Sequence, residues 1–130
     1  MKYKIPEDGV AALLTIVIVG AASLIMAYSA SILALGDLEL GYDAQKGSQA
    51  FSLADGCVEE AMRRLRLDDT YSGSSLSIGS NSCIIGISSS GLNRTIVVTS
   101  TVDIYHKKLE AQVSISGSDV TLNSWEEKYD

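Results

Sequence analysis

Proline, phenylalanine, tryptophan and histidine each occur once among the 130 residues. The proline is Pro6, so from residue 7 onward no imino acid removes a backbone donor or breaks a helix. One histidine, His106, and two cysteines, Cys57 and Cys83, cannot close a zinc site of four nitrogen and sulfur ligands, and no C-x-x-C is present. Positive charge is also scarce: 10 Lys and Arg against 16 Asp and Glu leave a net charge of −6. A surface that displaces counterions from phosphates needs clustered cations, so nucleic acid is not expected as a partner.

Catalytic patterns are missing as well. Neither a Walker A loop nor G-x-G-x-x-G occurs, and the serine-rich stretches SSLSIGSNS and GISSSG lack the G-x-S-x-G context of a nucleophile elbow. His106, beside Lys107 and Lys108, reads as a solvated side chain, as do the acid pairs Asp68-Asp69 and Glu126-Glu127. Asp103, Asp119 and Asp130 match no calcium-loop spacing. The expectation is a protein that is not an enzyme and needs no cofactor or metal.

The longest absence is of charge. Between Gly9 and Asp37 lie 27 residues, Val10 to Gly36, without a formally charged side chain. A ~30 Å hydrocarbon core takes about 20 helical residues, so this stretch is long enough to span it and meet membrane lipid. Thr15, Ser23, Ser29 and Ser31 can return their hydroxyls to helix carbonyls, and Tyr28 can sit near an interface. Lys2 and Lys4 before it, against Asp37, Glu39 and Asp43 after it, predict a cytoplasmic N-terminus and an exported remainder, a bias that Glu7 and Asp8 dilute. Ala27-Tyr28-Ser29 fits a small-x-small cleavage site, but the apolar run is longer than a secretory signal requires and its helical pattern continues past that point. Gly20, Ser23, Ala27 and Ser31 place small side chains along the helix, as do Ala22, Ala30 and Ala34 around Met26. Such stripes suit close helix–helix packing in lipid, and equally a lone anchor diluted by small residues.

Beyond Gly36 a helical stripe persists through Leu40, Ala44, Gly47, Phe51, Ala54, Val58, Ala61 and Leu65. Gly36, Gly41 and Gly47 each cost roughly 1 kcal/mol relative to alanine and mark where a bend or close packing is expected. Glu59 with Arg63 and Glu60 with Arg64 are spaced for i,i+4 pairing. From Ser74 the period changes to short runs rich in Val, Ile, Thr and Ser: SSLSIGS, SCIIGISSS, RTIVVTSTVDIY, KKLEAQVSIS and VTLNSWEE. Trp125 in the last run is expected to close the core or, failing that, to mark a contact surface. The fold class is therefore α+β: a long N-terminal helix, its first half transmembrane, packed at its outer half on a small antiparallel sheet of four or five strands. The segments are 1–9, a leader; 10–36, the membrane half; 37–67, the amphipathic half; and 68–130, the sheet. If the polar part is exported, Cys57 and Cys83 form one disulfide; in a reducing compartment they are two buried thiols.

GVAALLTIVIVGAASLIMAYSA, followed by QKGSQAFSLADGCVEEAMRRL and a cysteine-stapled sheet, resembles type IV pilin-like proteins, in particular minor pilins of the PilX-like kind. The likeness covers Gly9 to Leu65 and is architectural beyond that. It implies a prepilin peptidase as a partner that cuts after Gly9, a methylated N-terminus at Val10, and assembly with other pilin-like subunits through the N-terminal helix into a cell-surface filament. The chain has Asp8 and Val10 where the family's processing site has a basic residue and phenylalanine. It has Leu14 where major subunits carry a glutamate five residues into the mature chain. That departure resembles minor, tip or initiating subunits. The alternative is a single-pass anchor for an exported binding or adhesion module that does not polymerise.

Overall fold

The computed structural model describes residues 7–129, so Lys2, Lys4 and most of the expected leader lie outside the described residues. One helix, α1 (Glu7–Leu67), precedes five strands: β1 (Gly73–Ile78), β2 (Asn81–Ser90), β3 (Asn93–Val102), β4 (Tyr105–Ser116) and β5 (Asp119–Lys128). The chain divides into two units at Tyr42/Asp43.

In the first unit, every residue from Gly9 to Tyr42 is exposed. Its most apolar 18-residue window has a mean hydropathy of 2.6, and the helix is long and apolar enough to cross a membrane. The hydroxyls of Thr15, Ser23, Ser29 and Ser31 donate to the carbonyls of Ala11, Val19, Ile25 and Ala27 at 2.8–2.9 Å. Each polar side chain thus satisfies itself on its own helix, the condition for residing in hydrocarbon. Helical structure runs without interruption through Gly36, Gly41 and Gly47. A methyl group at any of the three would meet nothing within 4 Å, so packing inside this chain does not account for them.

The second unit begins at Asp43 and contains the last part of α1 and the sheet. The strands form an antiparallel meander in the order β1-β2-β3-β4-β5. Four two-residue turns join them, with Gly79, Gly91, Asp103 and Gly117 in the first position at φ near 60°. This left-handed first residue matches the twist of adjoining strands. Asp103, one of the few non-glycine types that tolerates the conformation, therefore ends β3, and the run RTIVVTSTVDIY is divided between two strands. A bulge at Gln112/Val113 shifts the register of β5.

Alternation puts one sheet face against the helix. Ile85, Ile96, Val98, Leu109, Ala111 and Val113 are buried under Ala54, Val58, Ala61 and Leu65. The alanines keep the helix face low, which admits the branched side chains of the sheet. The expected stripe is corrected at its beginning: Leu40 and Ala44 are exposed, Gly47 and Phe51 are half-buried, and burial is complete only from Ala50. Strands of 10–12 residues reach roughly 33–40 Å at the usual rise, a length that matches the helix from Asp43 to Leu67 but no more. Ser100 is the buried polar residue of this core, and its hydroxyl donates to the carbonyl of Ala50 at 2.6 Å.

A candidate assembly surface and a stapled sheet

The first unit carries the larger unsatisfied surface. Leu13, Ile16, Val17, Leu24, Ile25, Met26 and Leu33 are each more than 60% exposed, so apolar area that water would disfavour is left without cover from this chain. Gly20, Ser23, Ala27 and Ser31 lie along this exposed helix. The Ser23 and Ser31 hydroxyls are turned back to the backbone, so what the stripe offers a neighbour is close van der Waals approach rather than polar bonding. Gly9 and Val10, the residues of the expected processing site, both lie inside α1.

Cys57 on α1 and Cys83 on β2 are joined, with Cα atoms 6.7 Å apart. Both are almost wholly buried, so the staple between helix and sheet is shielded from solvent. Close by, Glu60 and Arg64 pair at the expected i,i+4 spacing, whereas Arg63 takes a different partner from the one expected. Glu60 accepts from both arginines, Nε of Arg63 at 2.7 Å and Nε of Arg64 at 2.8 Å, and Glu59 is not the partner of Arg63. The i,i+3 geometry brings Arg63 onto the same carboxylate in a two-toothed grip. Arg64 also donates to Ser74 at 2.9 Å and lies 5.5 Å from the Tyr71 ring, while Tyr71 and Ser74 share a hydrogen bond of 2.6 Å. The helix terminus is thereby tied to the start of β1.

The hydrogen bonds from Arg63 and Arg64 hold the Glu60 carboxyl at about 2, well below the ordinary value of 4.5. A depressed folded-state value favours folding above the unfolded value, and the contribution is lost as pH falls from about 4.5 to about 2. Carboxyl titration followed by NMR is therefore expected to give Glu60 a midpoint near 2, and Arg63→Gln with Arg64→Gln should return it towards the ordinary range. A midpoint that does not move in the double variant would contradict the pairing.

The remaining candidates are dispersed. His106 is exposed, and its Nδ1 lies 3.0 Å from Thr101 Oγ1. Asp103 is in the β3–β4 turn and Asp119 begins β5 at the opposite end of the sheet; Asp130 is outside the described residues. Among the described residues no group of three or more His, Cys, Asp or Glu side chains could hold a metal ion. Trp125 packs edge-on against Phe51 at 5.6 Å, at the margin of the core, and is 39% exposed. The bulge in β5 sits between Trp125, which stands opposite Ala111, and Leu122, which stands opposite Val113. Periodicity did not reveal Ser100, because a serine in a Thr- and Ser-rich strand carries no mark of burial. No family model, curated protein or solved structure matches the chain.

Proposed function

We propose that the protein is a minor or initiating subunit of a type IV pilin-like filament, held in a membrane by α1 before assembly and associating through the same helix afterwards. One observation carries this reading. A single helix has one face buried by the chain's own sheet from Ala50 to Leu65, yet is exposed on every face and apolar from Val10 to Leu35. Transfer from lipid to a bundle of similar helices exchanges one apolar environment for another, and small residues at Gly20, Ser23, Ala27 and Ser31 favour the close approach that stabilises such a bundle. The exported sheet is then displayed to solvent, in keeping with a disulfide.

The position of Gly9 and Val10 within α1 favours a second reading, a permanent single-pass anchor for an exported binding module. A peptidase needs an extended substrate, so cleavage there requires the first turns of the helix to unwind. Mass spectrometry of the protein from its native membrane decides between them. The filament reading expects an N-terminus at Val10 bearing a methyl group, together with recovery of the chain in sheared surface filaments. An intact Met1 terminus and recovery solely in the membrane fraction would reject it.

A further inference from the structure

We propose that the end of the sheet at which the chain enters the second unit rests on a zwitterionic phospholipid surface. Its lysines would meet headgroup phosphates, and Ile78, Ile104 and Tyr129 would enter the layer beneath. The proposal depends on the membrane-spanning reading of the apolar helix, and the experiment below separates the two.

The strand register assembles this surface. β1, β3 and β5 end where β2 and β4 begin, so the β1–β2 turn, the β3–β4 turn and the close of β5 share one end. The Tyr105 hydroxyl donates to the Asp43 carboxylate, which fixes this as the end where the second unit begins. Each of its three margins presents a large apolar side chain to solvent: Ile78 is 59% exposed, Ile104 74% and Tyr129 83%. Tyrosine and isoleucine together suit the boundary between headgroup and hydrocarbon.

The cations are sorted by type. All four lysines of the second unit, Lys46, Lys107, Lys108 and Lys128, lie towards this end. All four arginines, Arg63, Arg64, Arg66 and Arg94, lie towards the other. Lysine keeps its ammonium on a flexible apolar stem, which allows it to reach a phosphate while the stem lies in a less polar layer. The acids here, Asp43, Asp103, Glu110, Glu126 and Glu127, offset the lysines, and Lys107 and Lys128 bond Glu127 and Glu126. The surface therefore has mixed charge. In a chain of net charge −6, that fits a headgroup with both a phosphate and an amine better than an anionic one.

Chain length brings the surface within reach. Six residues separate Gly36, the end of the uncharged stretch, from Asp43, and the chain from one to the other extends no further than about 25 Å in any conformation. The opposite end of the sheet has exposed apolar residues of its own, such as Leu92 in the β2–β3 turn. It lies beside the helix terminus at Leu67, however, about 36 Å of helical rise from Asp43.

Leu92 thus provides the internal control. The full chain, in a Trp125→Phe background, is reconstituted into phosphatidylcholine vesicles with a single tryptophan at Ile104, Leu92 or Val17. Lipids brominated at the carbonyl end of the acyl chain should quench Ile104→Trp at least about twofold more strongly than Leu92→Trp, as expected for a residue at the interface. Lipids brominated near the bilayer centre should quench Val17→Trp. If Val17→Trp is quenched while Ile104→Trp and Leu92→Trp respond alike, the headgroup contact is refuted and the membrane span stands. If Val17→Trp is not quenched, both fall. The unsubstituted chain supplies a second measure: backbone exchange over 102–106 should be several-fold slower in these vesicles than in amphipol, which wraps an apolar helix but has no headgroup plane, with 90–94 unchanged. Equal exchange at 102–106 in the two media would likewise refute the contact.

Discussion

Replacing both half-cystines, Cys57→Ala with Cys83→Ala, is expected to lower the stability of the 43–130 unit by about 3–4 kcal/mol, the entropy released when a loop of 26 residues is no longer closed. For a unit of this size that corresponds to a fall in melting temperature of roughly 15–25 °C. The effect is large because the helix contributes a shallow apolar face. Of its wholly buried residues Ala50, Ala54 and Ala61 each add little area, and only Val58 and Leu65 are larger hydrocarbons. The covalent link fixes the middle of that face to β2, beneath which Ile85 and Val98 form a register pair. Alanine rather than serine is the appropriate replacement, since both positions are nearly inaccessible and a hydroxyl there would add the cost of an unpaired polar group. The measurement is denaturant or thermal unfolding of the full chain in the same detergent, followed by the sheet signal. A loss below about 1 kcal/mol would mean that the helix stays docked in the unfolded reference, or that the staple contributes little.

The features read correctly from sequence are those expressed by repetition. The absence of proline after Pro6 and of charge from Val10 to Gly36 defines the first part of α1, and the 4-3 spacing from Ala54 to Leu65 survives intact as the buried helix face. Alternation along Leu109, Ala111, Val113 and Ile115 identifies the inward side of β4 in the same way. What repetition cannot specify is where cover ends. Leu40 and Ala44 continue the stripe, but only the reach of the strands determines that they stay exposed. Nor does spacing choose between equivalent partners: Glu59 and Glu60 both stand four residues before an arginine, and Glu60 takes Arg63 at i,i+3 as well as Arg64 at i,i+4. The proposed assembly stripe is the least legible feature, because Gly20, Ser23, Ala27 and Ser31 are all exposed in a single chain and their significance depends on a neighbour.

Gly73→Ala is expected to cost more than about 3 kcal/mol and to loosen β1 before any other strand. Gly73 has a φ of 123°, a region that side-chain-bearing residues rarely occupy, so the backbone alone disfavours the change. Space disfavours it further: the added methyl would stand 2.2 Å from the carbonyl oxygen of Ile85 and 3.2 Å from the Cα of Gly86. Those atoms belong to the neighbouring strand, where Gly73 pairs with Gly86, and cannot yield as a flexible side chain would. Relief requires β1 to draw away from β2, and β1 is an edge strand with pairing on one side only. The displacement would strain the Ser74 contacts with Arg64 and Tyr71 and lift Leu76 from the margin of the core. Gly79→Ala is the control, since its φ of 63° is also left-handed but its methyl would meet nothing within 4 Å; a cost of only about 1–2 kcal/mol is expected there. Unfolding free energies of the two variants, with hydrogen exchange resolved over β1, test the difference. Equal losses would show that conformation rather than contact sets the penalty. Unchanged β1 exchange in Gly73→Ala would show that the first strand is not held by its close approach to Ile85.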